Sequence, residues 1–371
     1  MILNTLDIKN ISQIILNAVD NSESSLVTES LELIVKNGVL FLNVTNREYY
    51  AKVKFNLGTN EDFHATVNAN LFLKLISKIT TEQIEFNIDS NNLIIKGNGT
   101  YKIPLIFEGE QLLTLPEINV ENVTSELNID SNILMSILQF NSRQLSTGFI
   151  AKPIQRLFYI DDCGAITFTS GACINTFKLD MPIKLLVPQK IVNLFKLFKG
   201  KEVKLIVGHS TFENSSLTQT RIKFESDNIE LTAILLADDN RIDSVPVSAI
   251  RNSLSENYPY SVVMNVDTLL SSISRLMLFV NTSTELFASC KFTFTNDKLE
   301  ITDLTGENKE IISYDNESHI NGTYNASIDL IDLDNILNGY SSSHITFKFG
   351  NNKSILICNG DIVNVIPELI E

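Results

Sequence analysis

The residues that could do chemistry stand far apart in this sequence. Its four histidines, His64, His209, His319 and His344, sit in no HxH, HExxH or nucleophile-elbow setting. Each reads as a solvated or locally bonded ring. Asp161-Asp162 and Asp238-Asp239 could pair carboxylates around a metal, but both stand beside turn formers, and turn chemistry is the simpler reading. Gly97-Asn98-Gly99 has the GxG form of a phosphate cradle, yet a strand pattern follows where a helix N-terminus would be needed, so it reads as a hairpin turn. Cys163 and Cys173 straddle a hairpin, while Cys290 and Cys358 lie far away. No CxxC pair completes a metal shell or a disulfide framework, and free, mostly buried thiols are expected. No catalytic residue emerges, and neither a metal nor a cofactor is implied.

Charge is the stronger signal. Asp plus Glu number 44 against 29 Lys plus Arg, a net charge of -15, so any contact with nucleic acid must be local. The basic residues nevertheless gather on helical patterns: Lys9; Lys74 and Lys78; Arg143; Lys190, Lys196, Lys199 and Lys201; and Arg275. Screening over about 8 Å lets such a stripe act despite the acidic remainder. The last helical pattern, with Asp332 and Asp334 and no base, is the exception.

The elements that position these lysines repeat. Leu3 to Val19, Phe63 to Ile79, Ser125 to Phe140, Lys184 to Gly200, Ser261 to Phe279 and Tyr324 to Tyr340 each run from an extended stretch into a compact amphipathic helix. Helix starts are expected near residues 9, 69, 131, 189, 267 and 331, with Asn132 and Pro188 among the caps. Alternating runs and turns follow each helix, as in Ile84-Glu85-Phe86-Asn87-Ile88 and Leu93-Ile94-Ile95, and read as antiparallel hairpins. One helix on a small sheet cannot cover its apolar face alone. Paired units are the economical answer and make the chain α+β, six units in three domains. The 371 residues, 44% hydrophobic, suit two or three such cores. Boundaries are expected near 122 and 251, where Leu115-Pro116-Glu117-Ile118-Asn119 and the polar Ser253 to Pro259 break the pattern, giving domains 1–121, 122–251 and 252–371. No apolar run of about 18 residues occurs, and the amino terminus lacks a signal-like segment, so a cytoplasmic protein without membrane contact is expected.

In this arrangement the sequence resembles the bacterial-type sliding clamp, the beta subunit of DNA polymerase III, along its whole length. The landmarks are Leu42-Asn43-Val44-Thr45-Asn46-Arg47-Glu48, similar to the family's Thr-Asp-Leu-Glu segment; Lys184-Leu185-Leu186-Val187-Pro188-Gln189-Lys190, similar to its Val-Pro-Arg-Lys helix start; and Val365-Ile366-Pro367. The resemblance implies a non-catalytic processivity factor for DNA replication: three clamp-like domains per chain, two chains closed head to tail as a homodimeric ring around double-stranded DNA, and basic helices facing phosphates. It also implies a pocket for short peptides of the replicative polymerase and the clamp loader. That pocket falls on Ile154, Thr169, Gly171, Ala172, Cys173, Ile174, Val247, Ile366 and Pro367. The family's Thr-Asp-Gly-His-Arg-Leu becomes Thr169-Ser170-Gly171-Ala172-Cys173-Ile174, and its Phe-Pro-Asp-Tyr becomes Arg241-Ile242-Asp243-Ser244, so a more apolar peptide is expected. The dimer contact falls on Lys96 and Lys102 at one end, with Leu278 and Phe279 as apolar anchors and Glu307 and Glu310 as charge partners at the other. The open alternative is a structural or adhesive β-rich protein whose basic helices are incidental.

Overall fold

The computed structural model describes residues 1–20, 25–58, 61–139, 157–168, 171–211, 218–235, 242–280, 288–315, 318–340, 342–351 and 353–366. Within these, one pattern of strand, helix and three strands recurs six times. The first repeat is β1 (Ile2–Asn4), α1 (Thr5–Leu16), β2 (Ser30–Lys36), β3 (Val39–Thr45) and β4 (Tyr49–Asn56). The second is β5 (Phe63–Asn68), α2 (Ala69–Lys78), β6 (Gln83–Asp89), β7 (Asn92–Lys96) and β8 (Thr100–Pro104), followed by a small hairpin of β9 (Phe107–Glu108) and β10 (Gln111–Leu112). The third is β11 (Val123–Asp130), α3 (Ser131–Gln139), β12 (Leu157–Asp161), β13 (Gly164–Phe168) and β14 (Ala172–Thr176). In the fourth, β15 (Lys184–Pro188) leads into α4 (Gln189–Val192), a 3-10 continuation (Asn193–Phe198), β16 (Glu202–Thr211), β17 (Thr218–Glu225) and β18 (Ile229–Ile234). After α5 (Val247–Ser255), the fifth holds β19 (Tyr260–Asn265), α6 (Val266–Leu276), β20 (Ser289–Phe294), β21 (Lys298–Thr302) and β22 (Lys309–Ser313). The sixth holds β23 (Tyr324–Asp329), α7 (Leu330–Leu337), β24 (His344–Phe349), β25 (Ile355–Asn359) and β26 (Ile362–Ile366).

The residue that ends each opening strand usually starts the helix. Side-chain oxygens of Asn4, Asn68, Asp130, Asn265 and Asp329 accept hydrogen bonds from backbone N–H groups of the first turn, as from Leu71 to Asn68 at 2.9 Å. A short Asn or Asp side chain satisfies donors that the helix itself cannot. For α3 the cap is Asp130 and not Asn132, whose own N–H is the donor at 2.8 Å. Turns are as local: Asn37 and Gly38, both with positive φ (53° and 74°), close β2 on β3, the geometry that a two-residue hairpin loop requires.

Opening strands are exchanged between neighbouring repeats. β1 joins β6, β7 and β8, while β5 joins β2, β3 and β4; β11 joins β16, and β15 joins β12; β19 joins β24, and β23 joins β20. The last strand of a repeat then pairs antiparallel with the last strand of another: β4 with β18 (Ala51 opposite Leu231) and β14 with β26 (Cys173 opposite Asn364). Two eight-stranded sheets result, β11-β16-β17-β18-β4-β3-β2-β5 and β15-β12-β13-β14-β26-β25-β24-β19. Two four-stranded sheets remain, and among the described residues their edges β8 and β22 pair with no further strand.

By packing, the chain divides into two compact units. Unit 1 is Met1–Met135 with Asn193–Asp238, and unit 2 is Ser136–Val192 with Asp239–Glu371. The strand exchanges, by contrast, link the repeats in three pairs, the middle of which contributes four strands to the eight-stranded sheet of each unit. The polar stretch expected as a linker at Ser253 begins inside α5. In unit 1, Ile8, Ile11 and Ile15 of α1 and Phe72, Leu73 and Ile76 of α2 are buried, and Phe72 meets Phe86 edge-on at 5.8 Å. In unit 2, Phe292, Phe294, Phe347 and Phe349 lie at the centre of one core, with 4.4 Å between the rings of Phe294 and Phe349. Among the described residues no helix is long and apolar enough to cross a membrane.

Candidate nucleic-acid and partner interfaces

The helical lysines of unit 1 stand clear of the core. Lys74 and Lys78 are exposed one turn apart on α2; Lys196 and Lys199 are exposed at the end of the 3-10 segment, and Lys201 is half-buried beyond Gly200. They face solvent because Phe72, Leu73 and Ile76, and Leu194, Phe195, Leu197 and Phe198, take the buried stripe. Lys9 and Lys190 are half-buried on α1 and α4, and Arg143 lies outside the described residues. Arg275 is different. Its Nε and one terminal nitrogen donate to both oxygens of Glu310 at 2.7 and 2.6 Å, and it also reaches Ser272. This forked pair holds the Glu310 carboxyl below its ordinary range and raises the guanidinium further. One residue expected to face DNA and another expected to bind a partner copy are thus bonded to each other.

The positions expected at the dimer contact separate into free and engaged. Leu278 and Phe279, just past α6, are 81% and 61% exposed. Ile311, on the edge strand β22, and Leu304, in the turn before it, are also exposed, and sequence reading missed both. Glu307 is exposed in that turn, where Asp303 accepts its backbone N–H at 3.1 Å. Lys96 is bonded to Glu85 on the neighbouring strand at 2.9 Å, whereas Lys102 is exposed on β8. Thr100, Lys102 and Pro104 share the exposed face of β8, opposite the face that buries Ile103. On β22, Lys309, Ile311 and Ser313 are exposed, while Glu310 shares the face of buried Ile312. Residues directly opposite in an antiparallel pair share a face, so Lys102 and Glu310 cannot stand opposite each other across such an edge.

Of the expected pocket positions, Ala172, Cys173 and Ile174 lie on β14 and Ile366 on β26. Ile154, Thr169 and Pro367 lie outside the described residues. Register places Ala172 and Ile174 on the face of Val363 and Val365, and Cys173 with Asn364 on the other. Ile366 falls on the Asn364 side and belongs to the unit 2 core, while Asn364 accepts a hydrogen bond from the Tyr340 hydroxyl at 2.8 Å. Ala172 and Ile174 thus lie on one side of the seam and Cys173 and Ile366 on the other, and all four are buried. Gly171 and Val247 are half-buried. Burial raises the Cys173 thiol, which suits a structural residue.

Residues read as chemically idle are engaged in structure. Gly97 and Gly99 close the β7–β8 turn by a 2.9 Å backbone bond. His64 meets buried Glu32 at 3.0 Å, and Asn43 donates to the same carboxylate at 3.0 Å. Asp161, Asp162 and Cys163 lie within 4.8 Å of one another, but Arg251 of α5 clasps both Asp161 oxygens at 2.8 and 2.6 Å, and the Cys163 N–H adds a third bond. Asp161 is an anchor for α5. Asp238 and Asp239 lie outside the described residues.

Solved structures with the same arrangement span the whole chain. The DnaN sliding clamp (DNA polymerase III subunit beta) of Pseudomonas aeruginosa, in a crystal with griselimycin, superposes with a TM-score of 0.82, covering 100% of this chain and 99% of that one at 15% identity. This is the sliding-clamp fold. The sliding clamp of Bacillus subtilis matches with a TM-score of 0.77 at 14% identity, over 100% of this chain and 98% of the other. In sequence, the beta sliding clamp of Mycoplasmopsis pulmonis is 27% identical over 127 residues, 32% of this chain. That match spans 31% of the relative's own length. No family model matches. The chain thus has the α+β fold of the sliding clamps, and over part of its length it is similar in sequence to one of them.

Proposed function

We propose that the chain is a DNA sliding clamp: two copies close head to tail around double-stranded DNA and tether a replicative polymerase, without catalysing a reaction themselves. The observation that carries this is the pairing rule of the last strands. Four of them pair inside the chain, β4 with β18 and β14 with β26, and the remaining two, β8 and β22, are open edges among the described residues. An unpaired edge calls for a strand, and a contact between two different surfaces can close a ring of identical chains. β8 of one copy against β22 of another repeats the internal seams, and Leu278 and Phe279 flank the second edge. Three domains per chain, 1–121, 122–251 and 252–371, and a cytoplasmic setting belong to the same reading.

DNA is met through lysines as phosphate contacts without base reading, which suits a ring that must move along any sequence. Partner peptides, from the polymerase and the clamp loader, dock at the β14·β26 seam. Gly171 and Val247 are half-buried expected members, and Ala172 and Ile174 supply buried apolar walls that favour an apolar peptide over a charged one. Native mass spectrometry tests the assembly: the expected species is twice the 41.5 kDa chain. A monomer at micromolar concentration would rule the closed ring out.

A further inference from the structure

The eight-stranded sheet of unit 2 has an apolar face that its helices do not cover. Tyr159 stands opposite Ile166, Ile166 opposite Ile174, and Ile174 opposite Val363, so these four share one face, and Ala172, Val365 and Leu356 fall on the same side. Tyr159, Ile166, Ala172, Ile174 and Leu356 are buried, while Val363 and Val365 are half-buried. The helices lie on the other side of the sheet. Ser136 of α3 accepts a hydrogen bond at 2.7 Å from Asn175, which shares its face with Cys173, and Tyr340, beyond α7, donates to Asn364 on that same face.

The segment 251–259 lies across the apolar face instead. At one end, Arg251 of α5 donates to both oxygens of buried Asp161, which shares that face with Tyr159 two residues away. At the other end, Lys353 donates to the Asn257 carbonyl at 2.8 Å, lies 3.2 Å from Glu256 and stands over the Tyr258 ring. Pro259 approaches Gly350 so closely that a Cβ there would meet its ring at 2.7 Å. Asp161 ends β12, whereas Gly350 and Lys353 lie between β24 and β25, and β13, β14 and β26 stand in between. A segment fastened at both points crosses the β14·β26 seam. Yet α5 buries no residue and has no side-chain cap, and its Val247 and Ile250 are only half-buried, so few apolar contacts hold it down. We propose that α5 is a latched lid: the Asp161–Arg251 fork holds it over the apolar face, and a partner's apolar anchor reaches Ala172 and Ile174 by displacing it. The gating part of this rests on the docking reading above.

Asp161→Asn combined with Arg251→Gln removes the fork without leaving a lone buried charge. In the full-length variant, hydrogen exchange should be about tenfold or more faster at the α5 amides and unchanged along β13 and β14. The dye 8-anilinonaphthalene-1-sulfonate, which reports exposed apolar surface, should bind the variant more strongly than the unaltered protein. Among overlapping synthetic peptides that tile the replicative polymerase, those that bind should gain affinity by the same factor as the exchange, because a mostly closed lid lowers apparent affinity by the open fraction. Unchanged α5 exchange would overturn the latch, and faster α5 exchange without added dye binding would show that α5 does not cover the face. Exchange rising together in α5 and the sheet would make α5 part of the core and overturn the lid equally. Weaker peptide binding by the variant would make α5 a wall of the site and not its lid. If no peptide binds either form while exchange and dye respond as stated, the gating part falls with the docking reading and the lid stands.

Discussion

Leu278→Asp or Phe279→Asp is expected to turn the dimer into a monomer while leaving the far-ultraviolet circular dichroism unchanged. Both side chains are large, apolar and mostly exposed, so neither substitution removes a core contact. In a closed ring they become anchors beside β22. Removing such an anchor costs about 2 kcal/mol or more, roughly a 30-fold loss of affinity, and a carboxylate facing an apolar patch adds to it. Analytical ultracentrifugation of the two variants reads this directly. Dimers of unaltered affinity in both would show that this end of the chain is not the contact.

Phe294→Ala is expected to destabilise unit 2 by about 3 to 5 kcal/mol, the cost of emptying a large buried aromatic site. Phe294 is fully buried, and its ring lies 4.4 Å from that of Phe349 and about 6 Å from those of Phe292, Phe347 and Tyr324. All of these neighbours are on β20, β23 and β24, so the loss is concentrated where the fifth and sixth repeats join. Urea unfolding followed by fluorescence or circular dichroism should show the unit 2 transition moving to lower denaturant. An unmoved transition would mean that the aromatic cluster contributes little beyond filling space.

Much of this fold was legible because its signals are local. Helix starts expected near 69, 131, 189, 267 and 331 fall within a residue of those found, since apolar spacing marks each and an Asn or Asp cap marks all but the one at 189, which follows Pro188. The first was placed near 9 but begins at Thr5: the apolar stripe starts at Ile8, and the exposed Leu6 in the opening turn blurs it. The sequence gives no sign of α5, whose end overlaps the linker expected at Ser253 to Pro259, because the helix buries no residue and has no side-chain cap, leaving neither periodicity nor a start signal. The exchange of opening strands has no sequence signature, because antiparallel partners of either repeat would satisfy the same alternation.

The sites were less legible for a related reason. A run such as Gly171-Ala172-Cys173-Ile174 reads as one motif, but strand alternation sends successive side chains to opposite faces. Arg275 looked like a free base in sequence, because its acidic partner lies 35 positions away. Asp161 and Arg251 are 90 positions apart, and only the fold brings them together. Exposed Lys74, Lys78, Lys196 and Lys199 were found readily, as helical spacing alone puts them opposite the buried stripe.

Electron microscopy of the purified wild-type protein tests the central claim most directly, because the proposed ring closes by pairing β8 of one copy with β22 of another. Class averages should show closed two-copy rings with a central opening that admits duplex DNA. Open arcs, single chains or filaments as the dominant species would contradict the account.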